Sequence, residues 1–451
     1  MKWAVYNLLF LAVYPFLLPG FLLRMLRRGG YAKRFADRLA LYPDGLFKPT
    51  PSWLRDHDAP VRGDSFAPVW IHAVSVGEVQ VAGQLMREWR QVEPHVRFCF
   101  STTSSTGWKM AEKEVGPNDT LIYNPLDFPN FVKSALKTVR PRAIVLTESE
   151  IWPNFIRRAK KEGIPLYLIN ARVSDRSAPR YRLAKCFFGD VFKCFKKIFA
   201  QSDLDRDRLV AAGASAETVE VTGSFKFDVA HRNEAKEREM RDWIDANGGA
   251  GRILLGGSTW PGEDEILLKI YKKIVAEDPK TDVRLVIAPR HFEKADAVEA
   301  NIQKAGFACV RRSRGERGEK DRAVFLADTT GELMGLYGIA DVVFVGKSLC
   351  AHGSQNMIEP CLCGKPTFVG PYTENFRPVM SDLLAADAIV QVKNAEELEA
   401  GIVGMFSRAP SDTSVLRAQD IGTLGVRARA AVERRRGVVA KCVSEIRGSI
   451  G

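Results

Sequence analysis

The carboxylate of Glu78 lies just after an apolar strand, and parallel sheets bind ligands at the carboxyl ends of their strands. Glu78 ends the stretch His72-Ala-Val-Ser75-Val-Gly77-Glu78, in which an apolar strand runs into a turn and then a helix. A carboxylate in this position suits a general base that takes the proton of an attacking hydroxyl. It equally suits a structural glutamate, because the helix dipole favours negative charge in the first turn. A serine-hydrolase elbow is excluded, since Ala73 stands where the motif G-x-S-x-G needs its first glycine.

A second loop carries two carboxylates, Glu148 and Glu150, directly after the apolar strand 143–146. Pro153 follows and starts a helix, because proline is favoured in the first helical turn. Paired carboxylates at a strand end suit acid–base chemistry or the binding of substrate hydroxyls. The alternative is that one carboxylate caps the helix while water solvates the other.

Two further loops carry groups that bind anions. In Gly256-Gly257-Ser258-Thr259-Trp260-Pro261, glycines and hydroxyls precede a helix, and a helix N-terminus binds phosphate. An ordinary capped helix is the alternative. Arg290 follows the strand 284–288 and suits a phosphate or carboxylate clamp, although a solvated arginine fits the pattern as well. Its neighbour His291, taken by itself, is more often a structural histidine.

The last polar loop contains Gly346-Lys347-Ser348 and, further on, Asn356 and Glu359, which lie one helical turn apart. A glutamate there suits the two hydroxyls of a ribose, or else it faces solvent at the start of a helix. A P-loop is excluded, because that motif needs a glycine at the position of Asp341 and a loop where this chain has a strand.

Composition excludes several classes of protein. Hydrophobic residues make up 46% and charged residues 27%, which is typical of a globular protein and not of a disordered one. The net charge of +12 suits a phosphorylated small molecule, a nucleic acid or an anionic membrane. The eight cysteines include no C-x-x-C pair, which indicates free thiols in a reducing compartment. The six histidines form no cluster with cysteines, so no structural zinc site is expected.

Apolar strands alternate with amphipathic helices, which predicts an α/β protein with parallel sheets covered by helices on both faces. The charged stretch 228–252 separates two series of strands and is the best domain boundary. The loops described above all follow strands, and such sheets bind ligands at the carboxyl ends of their strands. The predicted strands are 69–74, 96–100, 143–146, 165–169, 197–200 and 219–221 in the first series, and 253–256, 284–288, 323–326, 341–345 and 367–369 in the second.

The first segment suits a membrane. No charged residue occurs from Trp3 to Leu23, and about 20 apolar residues span the core of a bilayer. Two prolines and a glycine weaken its last turns, so a kinked or interfacial helix is an alternative. The basic flank from Arg24 to Arg38 places the following chain on the cytoplasmic side and argues against a cleaved signal peptide. We expect removal of residues 1–28 to leave a folded protein.

Together the loops resemble the 3-deoxy-D-manno-octulosonic acid (Kdo) transferases of Gram-negative lipopolysaccharide synthesis. The resemblance runs from the first segment to about residue 400, and its ordered set of pieces is specific although each piece alone is weak. The matching pieces are YAKRFADRL, WIHAVSVGE, TESEIWPN, LINARVSDRS, GSFKFD, GGSTWPGEDE, IAPRH, DTTGELMGLYGIADVVFVGKS, HGSQNMIEP and GKPTFVGPYTENF.

The resemblance implies a GT-B glycosyltransferase fold, in which two Rossmann-like domains face each other across a cleft and the C-terminal one holds most of the nucleotide. It implies CMP-Kdo as the donor, a lipid A precursor (lipid IVA) as the acceptor, and inversion at the anomeric carbon. Glu78 is then the general base, and Ser75, Glu148 and Glu150 lie on the acceptor side. The implied donor-binding residues are Ser258, Thr259 and Arg290 at the phosphate, Asn356 and Glu359 at the ribose, and His291, Lys347 and Ser348 beside them.

Two departures from the family's usual pattern concern the donor site. Lys347 replaces a glycine of Gly-Gly-Ser and adds a cation that can contact a phosphate or a carboxylate. Gln355 replaces the histidine of Gly-Gly-His-Asn. No metal or other cofactor is expected, because cationic side chains and helix N-termini can neutralise the single phosphate of CMP. No nucleic-acid partner is expected either, since no motif for one is present.

These implications place the protein at the inner membrane, with its catalytic domains on the cytoplasmic face and membrane lipid as a further partner. We divide the chain into an anchor (1–28), an acceptor-binding domain (29–227), a linker (228–249) and a CMP-Kdo-binding domain with C-terminal helices (250–451). Two alternatives stay open. One is another GT-B enzyme that uses a UDP-sugar and a lipid acceptor, and the other is a catalytically inactive, membrane-tethered scaffold.

Overall fold

Two parallel sheets organise the chain. The computed structural model describes residues 2–28, 32–47, 67–229, 231–249, 251–315, 322–406 and 418–450. One unit comprises Met1–Phe225 and Gly437–Gly451, and the other comprises Lys226–Arg436. Each unit is a Rossmann-like α/β layer structure, which confirms the predicted fold class. All eight cysteines are free thiols, as the sequence predicts.

The sheet of the first unit consists of β1 (Val69–His72), β2 (Phe98–Thr102), β3 (Thr120–Tyr123), β4 (Ala143–Thr147), β5 (Leu166–Ala171), β6 (Lys197–Ala200) and β7 (Val219–Val221). These seven strands lie in the order β3-β2-β1-β4-β5-β6-β7, and every pair is parallel. His72 at the end of β1 lies opposite Ser101 on one side and Leu146 on the other. The strand order reverses at β1, and such switch points are where doubly wound sheets bind ligands.

The sheet of the second unit consists of β8 (Ile253–Thr259), β9 (Arg284–Pro289), β10 (Cys309–Arg311), β11 (Val324–Leu326), β12 (Val342–Val345), β13 (Thr367–Val369) and β14 (Val390–Gln391). Their order is β10-β11-β9-β8-β12-β13-β14, again with parallel pairs throughout. Gly257 of β8 lies opposite Ala288 and Val345. The switch point of this sheet is therefore at β8.

Helices connect the strands and cover both faces of each sheet. A short 3-10 segment, Ala32–Leu39, packs beside β3. The α-helices are α1 (Lys2–Arg28), α2 (Val76–Val92), α3 (Ser105–Ala111), α4 (Pro129–Val139), α5 (Pro153–Lys161), α6 (Ala178–Leu183), α7 (Lys185–Phe192), α8 (Asp203–Ala211), α9 (Lys226–Val229), α10 (Glu234–Asp245), α11 (Glu263–Glu277), α12 (Ala295–Lys304), α13 (Leu333–Ile339), α14 (Ile358–Leu362), α15 (Arg377–Ala385), α16 (Ala395–Phe406), α17 (Ala418–Arg434) and α18 (Val438–Ile450).

Neighbouring residues of each central strand enter cores on opposite faces of the sheet. In β1, Trp70 packs into one core with Ile144, while Ile71 packs into the other with Val145. The second unit repeats this arrangement, with its two cores on either face of β8. Burial on both faces explains why the central strands read as continuous apolar runs and not as alternating ones.

Two segments differ from the domain division expected from the sequence. Residues 228–249 are not an extended linker, because α10 within them buries Met240, Trp243 and Ile244 in the second unit. Gly335 of α13 lets α10 approach, since a Cβ there would lie 2.7 Å from a backbone oxygen of α10. The C-terminal helix α18 belongs to the first unit, where its apolar stripe packs against α2.

The first half of α1 is docked on the first unit. Its Tyr6 hydroxyl donates to Asp127 at 2.9 Å, and Asn154 donates its side-chain N–H to Asn7 at 2.7 Å. Aromatic rings on the same face of α1 pack against rings of α7 and of the turn before α4, including Phe187 and Phe128. Removal of residues 1–28 would uncover these rings, so the truncation removes packing contacts of the first unit as well as the expected anchor.

The opposite face of α1 is apolar and exposed. Within the described residues, no helix has both the length and the apolar composition needed to cross a membrane.

Of the predicted basic flank, the side chains from Arg24 to Lys33 lie outside the described part of the chain. Arg38 is only 3% exposed and donates to a backbone oxygen at 2.6 Å, so it does not form part of a basic surface. The exposed apolar residues of α1 are Val5, Leu8, Leu9, Leu11, Val13 and Phe16.

Candidate active site

Left-handed backbone conformations mark the carboxyl ends of the central strands. In the first unit, Glu148 follows β4 with φ 50°, and Asn170 lies in a bulge of β5 with φ 51°. In the second unit, Ser258 lies in a bulge of β8 with φ 53°, and Lys347 follows β12 with φ 58°. Non-glycine residues in this region carry strain that clusters at functional sites, and bulges re-aim side chains there. Three of these four positions, Glu148, Ser258 and Lys347, lie in loops that the sequence singled out, and Asn170 does not.

Glu78 is almost completely buried at the start of α2, with 9% of its surface exposed. Its Oε1 accepts a hydrogen bond from the Ser75 hydroxyl at 2.8 Å, and its Oε2 accepts one from the Val74 N–H at 3.0 Å. The Glu78 N–H donates back to the Ser75 hydroxyl at 3.2 Å, so Ser75 caps the helix. The carboxylate therefore has the fixed position that both of its predicted roles require.

Thr147 links Glu78 to the neighbouring strand. Its hydroxyl oxygen lies 2.9 Å from the backbone oxygen of His72 and 3.2 Å from Glu78 Oε2. A hydroxyl has one hydrogen and two lone pairs, so it can donate to an ionised carboxylate or accept from a protonated one. When Glu78 gains a proton, Thr147 can turn its hydrogen to the His72 oxygen. The arrangement accommodates both protonation states of Glu78, which is what a general base needs.

His72 and Glu150 form a second polar pair beside Glu78. His72 is fully buried, and its Nδ1 contacts the Ser101 hydroxyl at 2.9 Å. Its Nε2 lies 3.5 Å from Glu150 Oε2 and has no hydrogen-bond partner within the described part of the chain. Trp152 holds the same carboxylate oxygen of Glu150 through its ring N–H at 3.0 Å. Glu150 is thus oriented towards the strand end and not towards bulk water.

Glu148 turns towards β5 instead. Its Oε1 accepts a hydrogen bond from the Asn170 side chain at 3.1 Å, and Asn170 is fully buried. Asn170 Oδ1 in turn accepts the N–H of Phe225 at 3.1 Å. The two predicted carboxylates of this loop therefore lie on different sides of β4, and neither fits the alternative of a simple helix cap.

A cavity of about 140 Å³ in the second unit brings Ser258 and Arg290 together. Its other polar wall is the loop Thr329–Glu332, which follows β11 and which the sequence analysis did not single out as a site. The signal was present, since this loop is polar, contains a glycine and follows a strand, as the other candidate loops do. Apolar side chains complete the lining, namely Phe292, Leu333 and Leu336.

Ion pairs hold this loop in place from behind. Asp328 accepts hydrogen bonds from Arg311 at 2.5 Å and from the Ser313 hydroxyl at 2.6 Å. Burial raises the pKa of Asp328, but these hydrogen bonds outweigh it and the net pKa is lowered. Glu332 accepts a bond from Arg312 at 3.1 Å. The wall of the cavity is therefore fixed by charged residues outside it.

Arg290 and Lys347 supply the cations of this region. The backbone N–H of Arg290 donates to the Thr259 backbone oxygen at 3.0 Å and so fixes the loop. The guanidinium of this exposed residue does not take part in that bond. The Lys347 ammonium lies 4.7 Å above the ring of Trp260. Trp260 also contacts the ring of His291 at 5.3 Å, edge to face. Thr259 and His291 thus act in the packing of these loops.

Of the eight predicted donor residues, two line the cavity, Ser258 and Arg290, and six lie outside the lining, namely Thr259, His291, Lys347, Ser348, Asn356 and Glu359. Ser348 is fully buried, and its hydroxyl donates to Val345 O at 2.5 Å and accepts the Gly370 N–H at 2.9 Å. Asn356 donates to Glu359 Oε1 at 3.0 Å at the start of α14. Burial raises the pKa of Glu359, and the bond from Asn356 partly opposes this. Ser348 therefore holds its loop together, while Asn356 and Glu359 form a separate polar pair.

A larger cavity, of about 460 Å³, lies elsewhere in the first unit. It is lined by the C-terminal turns of α18, by Glu93 after α2 and by Arg142 before β4. These residues lie at the amino end of the sheet, opposite to the edge at which parallel sheets bind ligands. Its size therefore does not make it the functional site.

Lys347 provides a test of backbone strain in the loop after β12. We expect Lys347→Gly to be more stable than Lys347→Ala by about 1 kcal/mol, because only glycine adopts a left-handed φ without strain. Both variants lack the cation, so both should bind an anionic nucleotide more weakly than the parent protein. Chemical denaturation gives the difference in stability, and calorimetric titration gives the affinity. Equal stability of the two variants would contradict the assignment of strain to this position.

Comparison of the sequence with known proteins identifies a matching family and several relatives of this chain. Residues 33–229 match the family described as 3-deoxy-D-manno-octulosonic-acid transferase. The 3-deoxy-D-manno-octulosonic acid transferase of Haemophilus influenzae is 30% identical over 407 residues, or 90% of this chain and 91% of that protein. The enzyme of the same name from Bordetella pertussis is 36% identical over 337 residues, or 73% of this chain and 77% of that protein.

Solved structures share the fold at low sequence identity. Anabaena Alr3699/HepE in complex with UDP is 14% identical and aligns with a TM-score of 0.54 over 85% of this chain and 100% of that chain. A glycosyltransferase from Rickettsia africae is also 14% identical and aligns with a TM-score of 0.55 over 86% of this chain and 99% of that chain. These similarities agree with the expected GT-B fold, and they say nothing about the reaction.

Proposed function

The chain belongs to the Kdo transferase family and is a glycosyltransferase of lipopolysaccharide synthesis, and from this premise we propose its donor, its acceptor and the residues that act on them. The donor is CMP-Kdo and the acceptor is a lipid A precursor, lipid IVA. Glu78 is the general base. The observation that carries the proposal is the position of Glu78, a buried carboxylate fixed between two hydroxyls at the switch point of its sheet.

The reaction is a single displacement. An acceptor hydroxyl oxygen attacks the anomeric carbon of Kdo while Glu78 takes the hydroxyl proton. The bond between that carbon and the CMP phosphate oxygen breaks, and CMP leaves with the bonding electron pair from the opposite face. The configuration at the anomeric carbon is therefore inverted. Thr147 follows the proton by turning its hydroxyl from Glu78 to the His72 oxygen.

The second unit supplies the donor site. Arg290 and Ser258 border one cavity, and a guanidinium and a hydroxyl together stabilise the charge that grows on a departing phosphate. The remaining lining combines polar loop residues with apolar side chains, the mixture that suits a planar base. Lys347 adds a cation beside Trp260. The half-buried pair of Asn356 and Glu359 suits the ribose hydroxyls.

Mass spectrometry of one reaction tests the proposal. The mixture contains the purified full-length protein, CMP-Kdo and a tetraacylated lipid A precursor, without added metal. We expect a product heavier by one or more Kdo residues. No product, together with thermal protection by UDP and not by CMP, would overturn the donor and favour a UDP-sugar enzyme. No product and no protection by either nucleotide would favour an inactive scaffold.

We also propose that the exposed face of α1 binds the cytoplasmic surface of the inner membrane. The face combines exposed apolar residues with a fixed orientation, because the other side of the same helix is docked by Tyr6 and Asn7. An amphipathic helix of this kind lies in the interface of a bilayer. It would bring the enzyme to an acceptor whose acyl chains are embedded in that bilayer.

A triple substitution tests this membrane contact. We expect Leu8→Ser, Leu11→Ser and Phe16→Ser together to weaken vesicle binding by at least about tenfold, since each removes apolar surface worth more than about 1 kcal/mol. Turnover of detergent-solubilised acceptor should not change. Cosedimentation with anionic vesicles measures the binding. Val426→Ser is the matched control, because Val426 is 69% exposed on a helix of the other unit. Unchanged sedimentation of the triple variant would refute the contact.

A further inference from the structure

Glu263 is a buried carboxylate that the proposed reaction does not use. It is the first residue of α11 and has 0% of its surface exposed. A carboxylate removed from water is tolerated only when hydrogen-bond donors replace its hydration. The role of Glu263 can therefore be inferred from the groups that donate hydrogen bonds to it.

Five backbone N–H groups point at this carboxylate. Oε2 accepts the N–H of Trp260 at 2.8 Å and of Lys347 at 2.8 Å. Oε1 accepts three consecutive N–H groups from residues 348–350, at 3.2, 3.1 and 3.3 Å. Successive N–H groups that converge on one point form a nest, a structure that binds anions such as phosphate. Here a side chain of the protein fills the nest.

The two loops joined by Glu263 carry proposed donor residues. Trp260 belongs to the loop after β8, beside Ser258, and residues 347–350 form the loop after β12. The carboxyl ends of β8 and β12, from which the loops start, touch directly, since the Gly346 N–H donates to Gly257 O at 2.9 Å. A Cβ on Gly346 would lie 2.3 Å from the Ser258 backbone oxygen, so this approach needs a glycine. Glu263 closes the contact from the helix side.

We propose that Glu263 is a positioning residue that holds the loop 347–350 in its donor-binding conformation by filling the nest in place of a phosphate. The inference rests on the proposed function for the identity of the donor. Because the nest is occupied, its N–H groups are unavailable to the donor phosphate. That phosphate is left to the side chains of Ser258, Arg290 and Lys347, which suits a donor with a single phosphate.

Asp264 is the matched control. It is the next residue of α11 and is equally removed from water, with 3% exposed. Its oxygens accept the Gly262 N–H at 3.2 Å and the Asn301 side-chain N–H at 2.8 Å, both outside the loop 347–350. Glu263→Gln and Asp264→Asn each remove one buried charge from the same helical turn. Only the first removes an acceptor from the donor loop.

Hydrogen–deuterium exchange of the full chain and steady-state kinetics form the test. We expect Glu263→Gln to speed amide exchange at residues 348–350 by about tenfold or more, because an amide side chain presents one acceptor oxygen where the carboxylate presents two. The KM for CMP-Kdo should rise by about tenfold while the KM for the acceptor stays constant. Asp264→Asn should leave the exchange at 348–350 and both KM values unchanged. Glu263→Asp, which keeps the charge, should fall between the parent protein and Glu263→Gln.

Two results would overturn the inference. One is unchanged exchange at 348–350 in Glu263→Gln, and the other is an equal change in Asp264→Asn. If Glu263→Gln does not fold, Glu263→Asp decides by the same readouts, since a shorter side chain cannot reach all five N–H groups and unchanged exchange overturns the inference. If the parent protein does not turn over CMP-Kdo, the proposed function fails, and the exchange result still decides whether Glu263 holds the loop.

Discussion

Glu78→Gln is expected to lower kcat for Kdo transfer by about 10³-fold, within the range of about 10² to 10⁴ that a general base contributes. The amide has the size of the carboxylate and can still accept the Val74 N–H, so α2 should keep its start. It cannot take a proton from the acceptor hydroxyl. Steady-state turnover measures the loss, and calorimetric titration with CMP should give an unchanged affinity, because no donor-site residue is altered.

Glu88→Gln is the control for this substitution. Glu88 lies on the same helix, almost three turns further along, and the chemical change is identical. Its kcat should equal that of the parent protein. The competing interpretation of Glu78 as a first-turn structural glutamate makes a different prediction. It requires Glu78→Gln to lower the unfolding temperature and to retain nearly full activity, and that combination would refute the assignment of the base.

Arg290→Ala should lower kcat/KM by about 100-fold, the scale associated with removing one donor that stabilises transition-state charge. The loop should keep its shape, because the bond to Thr259 O comes from the backbone N–H of residue 290 and survives the substitution. The loss therefore reports the guanidinium itself. Arg290→Lys should recover part of the activity, since an ammonium keeps the charge and loses the planar pair of donors.

Lys294→Ala is the matched control for Arg290. It removes a cation four residues further along, in the 3-10 turn after β9, and Lys294 does not line the cavity. Its kcat/KM should match that of the parent protein. An unchanged kcat/KM in Arg290→Ala, or an equal fall of kcat/KM in Lys294→Ala, would show that the region acts through general electrostatic attraction and not through a specific phosphate contact.

The sequence predicted every central strand and missed three of the four edge strands, the exception being β7 at the edge of the first sheet. All eleven predicted strands correspond to observed ones, while β3, β10 and β14 were not predicted, and each lies at an edge of its sheet. A central parallel strand is buried on both faces and must be apolar throughout. An edge strand is short and has a neighbour on one side only, so its composition is less distinctive. The strands that are easiest to predict from their apolar composition are therefore the buried central ones, and the proposed site lies at their carboxyl ends.

Docking of amphipathic helices was not predictable from their own residues. The apolar stripe of α18 indicates that the helix packs against a hydrophobic core, but it does not indicate which of the two sheets provides that core. The structure places α18 against α2 of the first unit, although the chain reaches it from the second. The same holds for α10, whose charged surface resembles a linker while Met240, Trp243 and Ile244 face a core.

The sequence by itself determined the fold class, the family and the loops in which the active site is proposed, because strand periodicity, turn residues and charged side chains are local properties. Only the tertiary structure decided which groups meet. It joins Glu78 to Thr147 across two strands, turns the Ser348 hydroxyl inwards and directs five N–H groups to Glu263. The contact of Thr147 with Glu78 and four of the five contacts of Glu263 join residues about 70 to 90 positions apart in the chain, so they depend on strand order and on loop conformation and have no local signature.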